Sequence, residues 1–226
     1  MLDSLVNTRD YTTPELLLFG VGCYMWVIVY IIYIREIRRG GCIGMPVFAA
    51  CSNFAWEIVW GVIPPSTDMG PLLVWAYRAW FLLDLYIIAG VFRYGSAQMG
   101  IPALVKNFKP LAAAAVAGMT VLYFFFKSGG YDTPIGATSA YIAQMFISVL
   151  YLLLLLRHQK LVWQSLSVSW LRMIGTGLNT VFLFLHYPQL HFLLSLGVMS
   201  LIIDNVYLYM FITGRKSRAD RSPSPV

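Results

Sequence analysis

Seven predominantly apolar stretches follow one another along the chain, at roughly 15–34, 43–63, 72–93, 108–127, 135–156, 167–186 and 189–213, with short polar connections between them. An α-helix needs about 20 such residues to cross the hydrocarbon core of a bilayer. The pattern predicts an all-α membrane protein, a bundle of seven transmembrane helices within residues 1–214, followed by a disordered basic tail over 215–226. Two stretches are less uniform than the rest: the third carries Arg78 and Asp84, and the sixth is interrupted by Arg172.

Composition agrees with the pattern. Of the 226 residues, 59% are hydrophobic and 12% charged, against about half and about a quarter in a soluble domain, which leaves no room for a second, soluble domain. The formal charge of +6 does not mark a nucleic-acid binder, because the basic residues are dispersed through the connections instead of gathered on one face. Their placement sets an orientation. Arg35, Arg38 and Arg39 follow the first helix, Arg93, Lys106 and Lys109 the third, Arg157 and Lys160 the fifth, and Arg215, Lys216, Arg218 and Arg221 the seventh. The alternate connections, PPSTDMGP, SGGYDTP and HYPQL, contain almost no Lys or Arg. The positive-inside rule then predicts an outside N-terminus and a cytosolic C-terminus, the opposition of ends that seven spans require. GSAQMGIPALVKNFK, 95–109, reads as either an interfacial amphipathic segment or a plain loop. The basic part of the tail reads as touching anionic headgroups. Cys23, Cys42 and Cys51 have no CxxC spacing and read as apolar filler. The first 14 residues are polar and slightly acidic, so no cleavable signal peptide is expected.

With so little chain outside the bilayer, any chemistry lies among the helices. Ionisable residues at membrane depth are costly and face a cavity or a partner. Four stand out: Glu57 in the second helix, Arg78 and Asp84 in the third, and Asp204 in the seventh. At about 1.5 Å per residue, Glu57 and Arg78 lie about 9–10 Å from the outer surface, Asp84 about 18 Å and Asp204 about 20 Å. An outer Glu57/Arg78 layer and a deeper Asp84/Asp204 layer are expected, a spread that suits a long thin ligand better than an ion. Helical spacing puts Asn53, Trp56, Glu57 and Trp60 on one face, Tyr77, Trp80 and Asp84 on another, and Ser200, Asp204 and Tyr207 on a third. The sixth helix adds Trp170 and Asn179. Arg172, near the cytosolic start of that helix, reads as a snorkelling structural residue. The competing reading makes the tryptophans interfacial belts and the charges structural ion pairs.

Several classes are excluded. The seventh helix has no lysine for a retinal Schiff base. Neither DxDD nor DDxxD occurs, so the soluble terpene cyclase machinery, with its magnesium site for a diphosphate, is missing. His186 and His191 read as a chance pair rather than metal ligands, and Pro188-Gln189 has no matching copy in the first half of the chain.

NFAWE in the second helix and the acidic IIDN in the seventh, on a seven-helix chain of this size, resemble the integral membrane terpene cyclases. These include the paxilline-type indole-diterpene cyclases, the cyclases of fungal meroterpenoid pathways, and bacterial relatives acting on prenylated indole alkaloids such as the drimentines. The resemblance carries the family's two essential acids onto Glu57 and Asp204. It implies protonation of a terminal epoxide or alkene on a prenyl chain and cation-driven ring closure, with no metal, no other cofactor and no release of diphosphate. The implied partners are a prenylated small molecule and the bilayer, with no nucleic acid and no obligate protein partner. The membrane would be the endoplasmic reticulum in a fungus or the plasma membrane in a bacterium.

The residues suit that chemistry. An acid in a dry, apolar site keeps its proton because desolvation penalises the ionised form, and it can then act as a general acid. An epoxide needs only a modest acid, since ring opening relieves strain. A bare alkene needs a stronger one whose departing charge is stabilised, a task for which Arg78 is at the estimated depth of Glu57. The faces of Trp56, Trp60, Tyr77, Trp80, Trp170 and Tyr207 can stabilise a carbocation. Asn53, Asn179 and Asp84 complete the expected site, and which acid donates stays open. The alternative reading is a seven-helix transporter or receptor for a small amphiphile, its acids serving as cation or proton sites. A third is an assembly subunit whose charges pair with another chain.

Overall fold

The computed structural model describes residues 5–41, 43–63, 66–157 and 165–219, and these contain eight α-helices and no strand. They are α1 (Thr13–Gly40), α2 (Val47–Glu57), α3 (Pro71–Tyr94), α4 (Pro102–Lys106), α5 (Phe108–Ser128), α6 (Ala137–Arg157), α7 (Leu166–His186) and α8 (His191–Ala219). Apart from the short α4, they coincide closely with the apolar stretches. The segment 95–109 is a 3-10 turn, Gly95–Gln98, followed by α4, which buries none of its residues. α8 continues to Ala219, five residues past the boundary drawn at 214, and the rest of that tail lies outside the described residues.

Six helical segments are long and apolar enough to cross a membrane, and Val47–Val62 is shorter. That segment is α2 plus a π-helical turn, Ile58–Val62. Sixteen residues reach at most about 24 Å at 1.5 Å each, so α2 is a short seventh member of the bundle. Its end is held from outside. The Lys127 ammonium of α5 donates to the carbonyls of Val59 (3.3 Å) and Ile63 (3.4 Å) and lies 4.0 Å from the Trp60 ring centre.

Contacts run α1–α3–α2–α6–α8–α7 and back to α1, a closed ring of six helices with α5 packed outside against α2. The outer surfaces are apolar: Leu17, Trp75, Leu82, Leu122 and Phe125 are exposed, as lipid-facing side chains are. One end of the ring, where α1, α3, α6 and α8 begin, is laced by the chain before α1. The Asn7 N–H donates to the Met69 carbonyl (2.9 Å) and the Tyr11 hydroxyl to Asp68 (2.8 Å), while Glu15 in the first turn of α1 meets His186 of α7 at 3.2 Å.

The ring closes tightly between α1 and α7 because glycine faces glycine. A Cβ on Gly22 would stand 2.9 Å from the Gly175 carbonyl and overlap the Asn179 amide, and one on Gly175 would stand 3.0 Å from the Gly22 carbonyl. Small residues at such a crossing let backbones approach. Gly22→Ala is expected to cost about 1–3 kcal/mol through overpacking, read as a lower unfolding temperature in detergent; an unchanged transition would show that the crossing can open freely.

Candidate active site

Inside the ring is a cavity of about 130 Å³ walled by α1, α2, α3, α6 and α7. Glu57 reaches it from the last α-helical residue of α2, where the backbone widens into the π turn, a distortion often found at functional sites. The residue is 2% exposed. Its Oε1 accepts from the Tyr30 hydroxyl (2.9 Å) and from Asn53 Nδ2 (3.0 Å). The same Asn53 nitrogen lies 2.8 Å from Asp84 Oδ2 and 2.6 Å from the Tyr30 oxygen. Asn53 thus bridges the two carboxyls, which are close enough to interact directly. Outside that carboxyl pair, the other oxygens, Glu57 Oε2 and Asp84 Oδ1, accept from no N–H or hydroxyl donor among the described residues. Glu57 lines the cavity, and Asp84 is buried behind Asn53.

The aromatic wall is held by its edges. Trp56 donates its indole N–H to the Ser139 hydroxyl oxygen (2.8 Å), and Ser139 is bonded in turn to Asp132. Asp132 also accepts the backbone N–H groups of Thr133, Thr138 and Ser139, capping α6. Burial pushes the Asp132 carboxyl up from the usual carboxylate range, against the pull of these hydrogen bonds. The Tyr77 hydroxyl donates to the Ile135 carbonyl (2.6 Å), and the Tyr77 ring stands edge-on to Trp56 (5.1 Å) and stacks beside Trp80 (6.0 Å). With their polar edges or rims tied, Trp56 and Tyr77 offer ring surface to the cavity.

A second polar cluster lies on the α6, α7 and α8 side. The Arg172 guanidinium, 1% exposed, pairs with Asp204 Oδ1 at 2.9 Å and stands 3.7 Å from the Tyr151 ring centre. Asp204 Oδ2 accepts from Gln144 Nε2 at 3.4 Å.

Several expectations are corrected by this geometry. Arg78 does not meet Glu57: it is exposed, its guanidinium 4.8 Å from the Trp75 ring centre. The two depth layers are regrouped, since Glu57 joins Asp84 and Asp204 joins Arg172. Arg172 does not snorkel, because α7 is rotated to aim it at α8. Trp170 is 42% exposed and faces away from the cavity. Trp60 stacks on Trp56 (6.1 Å) but lines a separate outer hollow with Asp68, Lys127 and Asp132. Tyr207 is buried beside Ser169 and Arg172 without lining the cavity. Asn53, Trp56, Glu57, Tyr77, Trp80 and Asn179 do line it. Gln144, Tyr30 and the role of Arg172 were not foreseen. A polar residue in the middle of the apolar fifth stretch was the available signal for Gln144.

The family model of the Pyr4-like transmembrane terpene cyclases matches residues 11–217. The chain belongs to this family. Among curated members, it is 25% identical to the Pyr4-family terpene cyclase mfmH of Annulohypoxylon moriforme over 197 residues, 82% of this chain and 80% of that one. It is 26% identical to the terpene cyclase ascF of Acremonium egyptiacum over 194 residues, 76% and 69% of the two chains. The terpene cyclase pyr4 of Aspergillus fumigatus is 29% identical over 106 residues, 46% of this chain and 42% of that one. No solved structure matches. This Pyr4-like protein is a membrane-embedded terpene cyclase, and the apolar helices and aromatic cavity are its physical counterpart.

Proposed function

We propose that the chain opens a terminal epoxide on a prenylated substrate, with Glu57 as proton donor, and folds the resulting cation into rings. The observation that carries this reading is a buried Glu57 carboxyl at an aromatic-walled cavity, joined to Asp84 through Asn53 and without a countercharge among the described residues. No salt bridge reaches Glu57 or Asp84 among the described residues. Two negative charges buried without a countercharge are costly, so the Glu57–Asn53–Asp84 cluster retains a proton for transfer. The Glu57 O–H proton passes to the epoxide oxygen. The C–O bond to the more substituted carbon breaks, its pair becoming a hydroxyl lone pair. The neighbouring alkene supplies the electrons for each new C–C bond, and the last cation loses a proton to the Glu57 carboxylate or to water. Substrate and product are isomers.

The Tyr30 and Asn53 donors stabilise the Glu57 carboxylate left behind, and Arg172, which could have done more, is bound to Asp204. Glu57 is therefore a modest acid. Epoxidised substrates are expected to react and the matching alkenes to remain; equal turnover of both, in membranes containing the chain, would contradict the assignment.

In this reading residues 1–214 form one cyclase domain of seven spans, the short α2 completing the count. The laced end of the ring lies outside and the end of α8 in the cytosol, following the arginines. The bilayer is the endoplasmic reticulum for a fungal source and the plasma membrane for a bacterial one.

A further inference from the structure

We infer that Gln144 is a further substrate-facing residue, its amide carbonyl turned into the cavity by Asp204 so that it stabilises the migrating positive charge. This rests on the reading of the cavity as the site of reaction. Asp204 does not line the cavity, and the wall residue that hydrogen-bonds it is Gln144. Asp204 therefore acts at one remove, as a positioning residue.

The orientation follows from the chemistry of the partners. Asp204 Oδ1 carries the Arg172 guanidinium at 2.9 Å, and an ionised carboxylate only accepts hydrogen bonds. Its Oδ2 must face an N–H, so the Gln144 NH₂ turns toward it (3.4 Å) and toward Ser148 (3.2 Å). Both amide hydrogens are then in use. A flipped amide would set its oxygen against the carboxylate, which is repulsive. The carbonyl is the end left for the cavity, flanked on α6 by Ala140 and Ala143, whose small side chains leave the amide accessible from inside.

An amide oxygen is the negative end of a fixed dipole, and such dipoles stabilise developing charge without reorganising. It is also a poor base and a poor nucleophile. A carboxylate in its place would trap the cation as an ester or deprotonate it early. Keeping Asp204 behind the amide, with its charge balanced by Arg172, supplies the field without that hazard.

The test compares Gln144→Leu, which keeps bulk and leaves the Arg172–Asp204 pair intact, with the wild-type chain on an epoxidised prenyl substrate. The expected result is a roughly tenfold lower kcat with little change in KM, together with a larger share of incompletely cyclised products. Gln144→Ala, which cannot clash, serves the same purpose if leucine lowers the folded yield. Asp204→Asn should shift the products the same way, and the double variant should show no further shift, because both act through one amide. Unchanged products from Gln144→Leu beside an inactive Glu57→Gln would overturn this inference alone. An active Glu57→Gln would instead overturn the reading of the cavity on which it rests.

Discussion

Membranes containing Glu57→Gln are expected to cyclise an epoxidised prenyl substrate at least about a thousandfold more slowly than the wild-type chain, within the range that general acids contribute. The substitution is nearly isosteric. A glutamine oxygen can still accept from Tyr30 and Asn53, as Glu57 Oε1 does, so the cavity keeps its shape and loses only the acidic proton. Asp84 cannot take over, because it is buried behind Asn53 and does not reach the cavity wall. Asp84→Asn, which can still meet Asn53, should slow the reaction far less. Product is read by mass spectrometry after insertion of each variant has been checked. If Glu57→Gln keeps its rate within tenfold of wild type, Glu57 is not the donor.

The second large effect is on stability. Arg172→Met should destabilise the bundle by about 3–5 kcal/mol, the usual cost of removing one member of a buried ion pair. Asp204 would be left 2% exposed with the long hydrogen bond from Gln144, and the Tyr151 ring would lose the cation 3.7 Å from its centre. Removing both charges, as Arg172→Met with Asp204→Leu, should recover much of the loss, since neither ion is then left unpaired. Thermal unfolding in detergent micelles reads both. A single variant as stable as wild type would mean that Asp204 finds another cation or is readily solvated. The double variant should not regain the wild-type product pattern, because the carboxylate that turns the Gln144 amide is then gone and only the Ser148 hydroxyl, able to donate or accept, remains beside it.

The sites of these two predictions were unequally visible beforehand. Glu57 and Asn53 lie four residues apart on one helix, so their alliance followed from helical spacing. Arg172 lies six residues after the start of α7, within reach of either the membrane surface or the interior. Which of these it takes depends on the rotation of α7 about its axis. The crossing of Gly22 and Gly175 against α1, and the packing of α7 on α8, set that rotation. Arg78 erred in the opposite sense: its depth suited Glu57, but α3 turns it outward over Trp75.

What the amino-acid sequence determined by itself was local and one-dimensional: the apolar runs, their ends to within six residues, the acids placed inside them, and the aromatic company of Glu57. These depend on hydrophobicity and helical period, which any stretch of chain carries without its neighbours. Only the tertiary structure decided the pairing, Glu57 with Asp84 through Asn53 and Asp204 with Arg172 before Gln144. A side chain deep in a helix ring can meet partners from several helices. Depth along the axis narrows the choice, but the order of helices around the ring and the rotation of each one make it, and both arise from packing across the whole bundle.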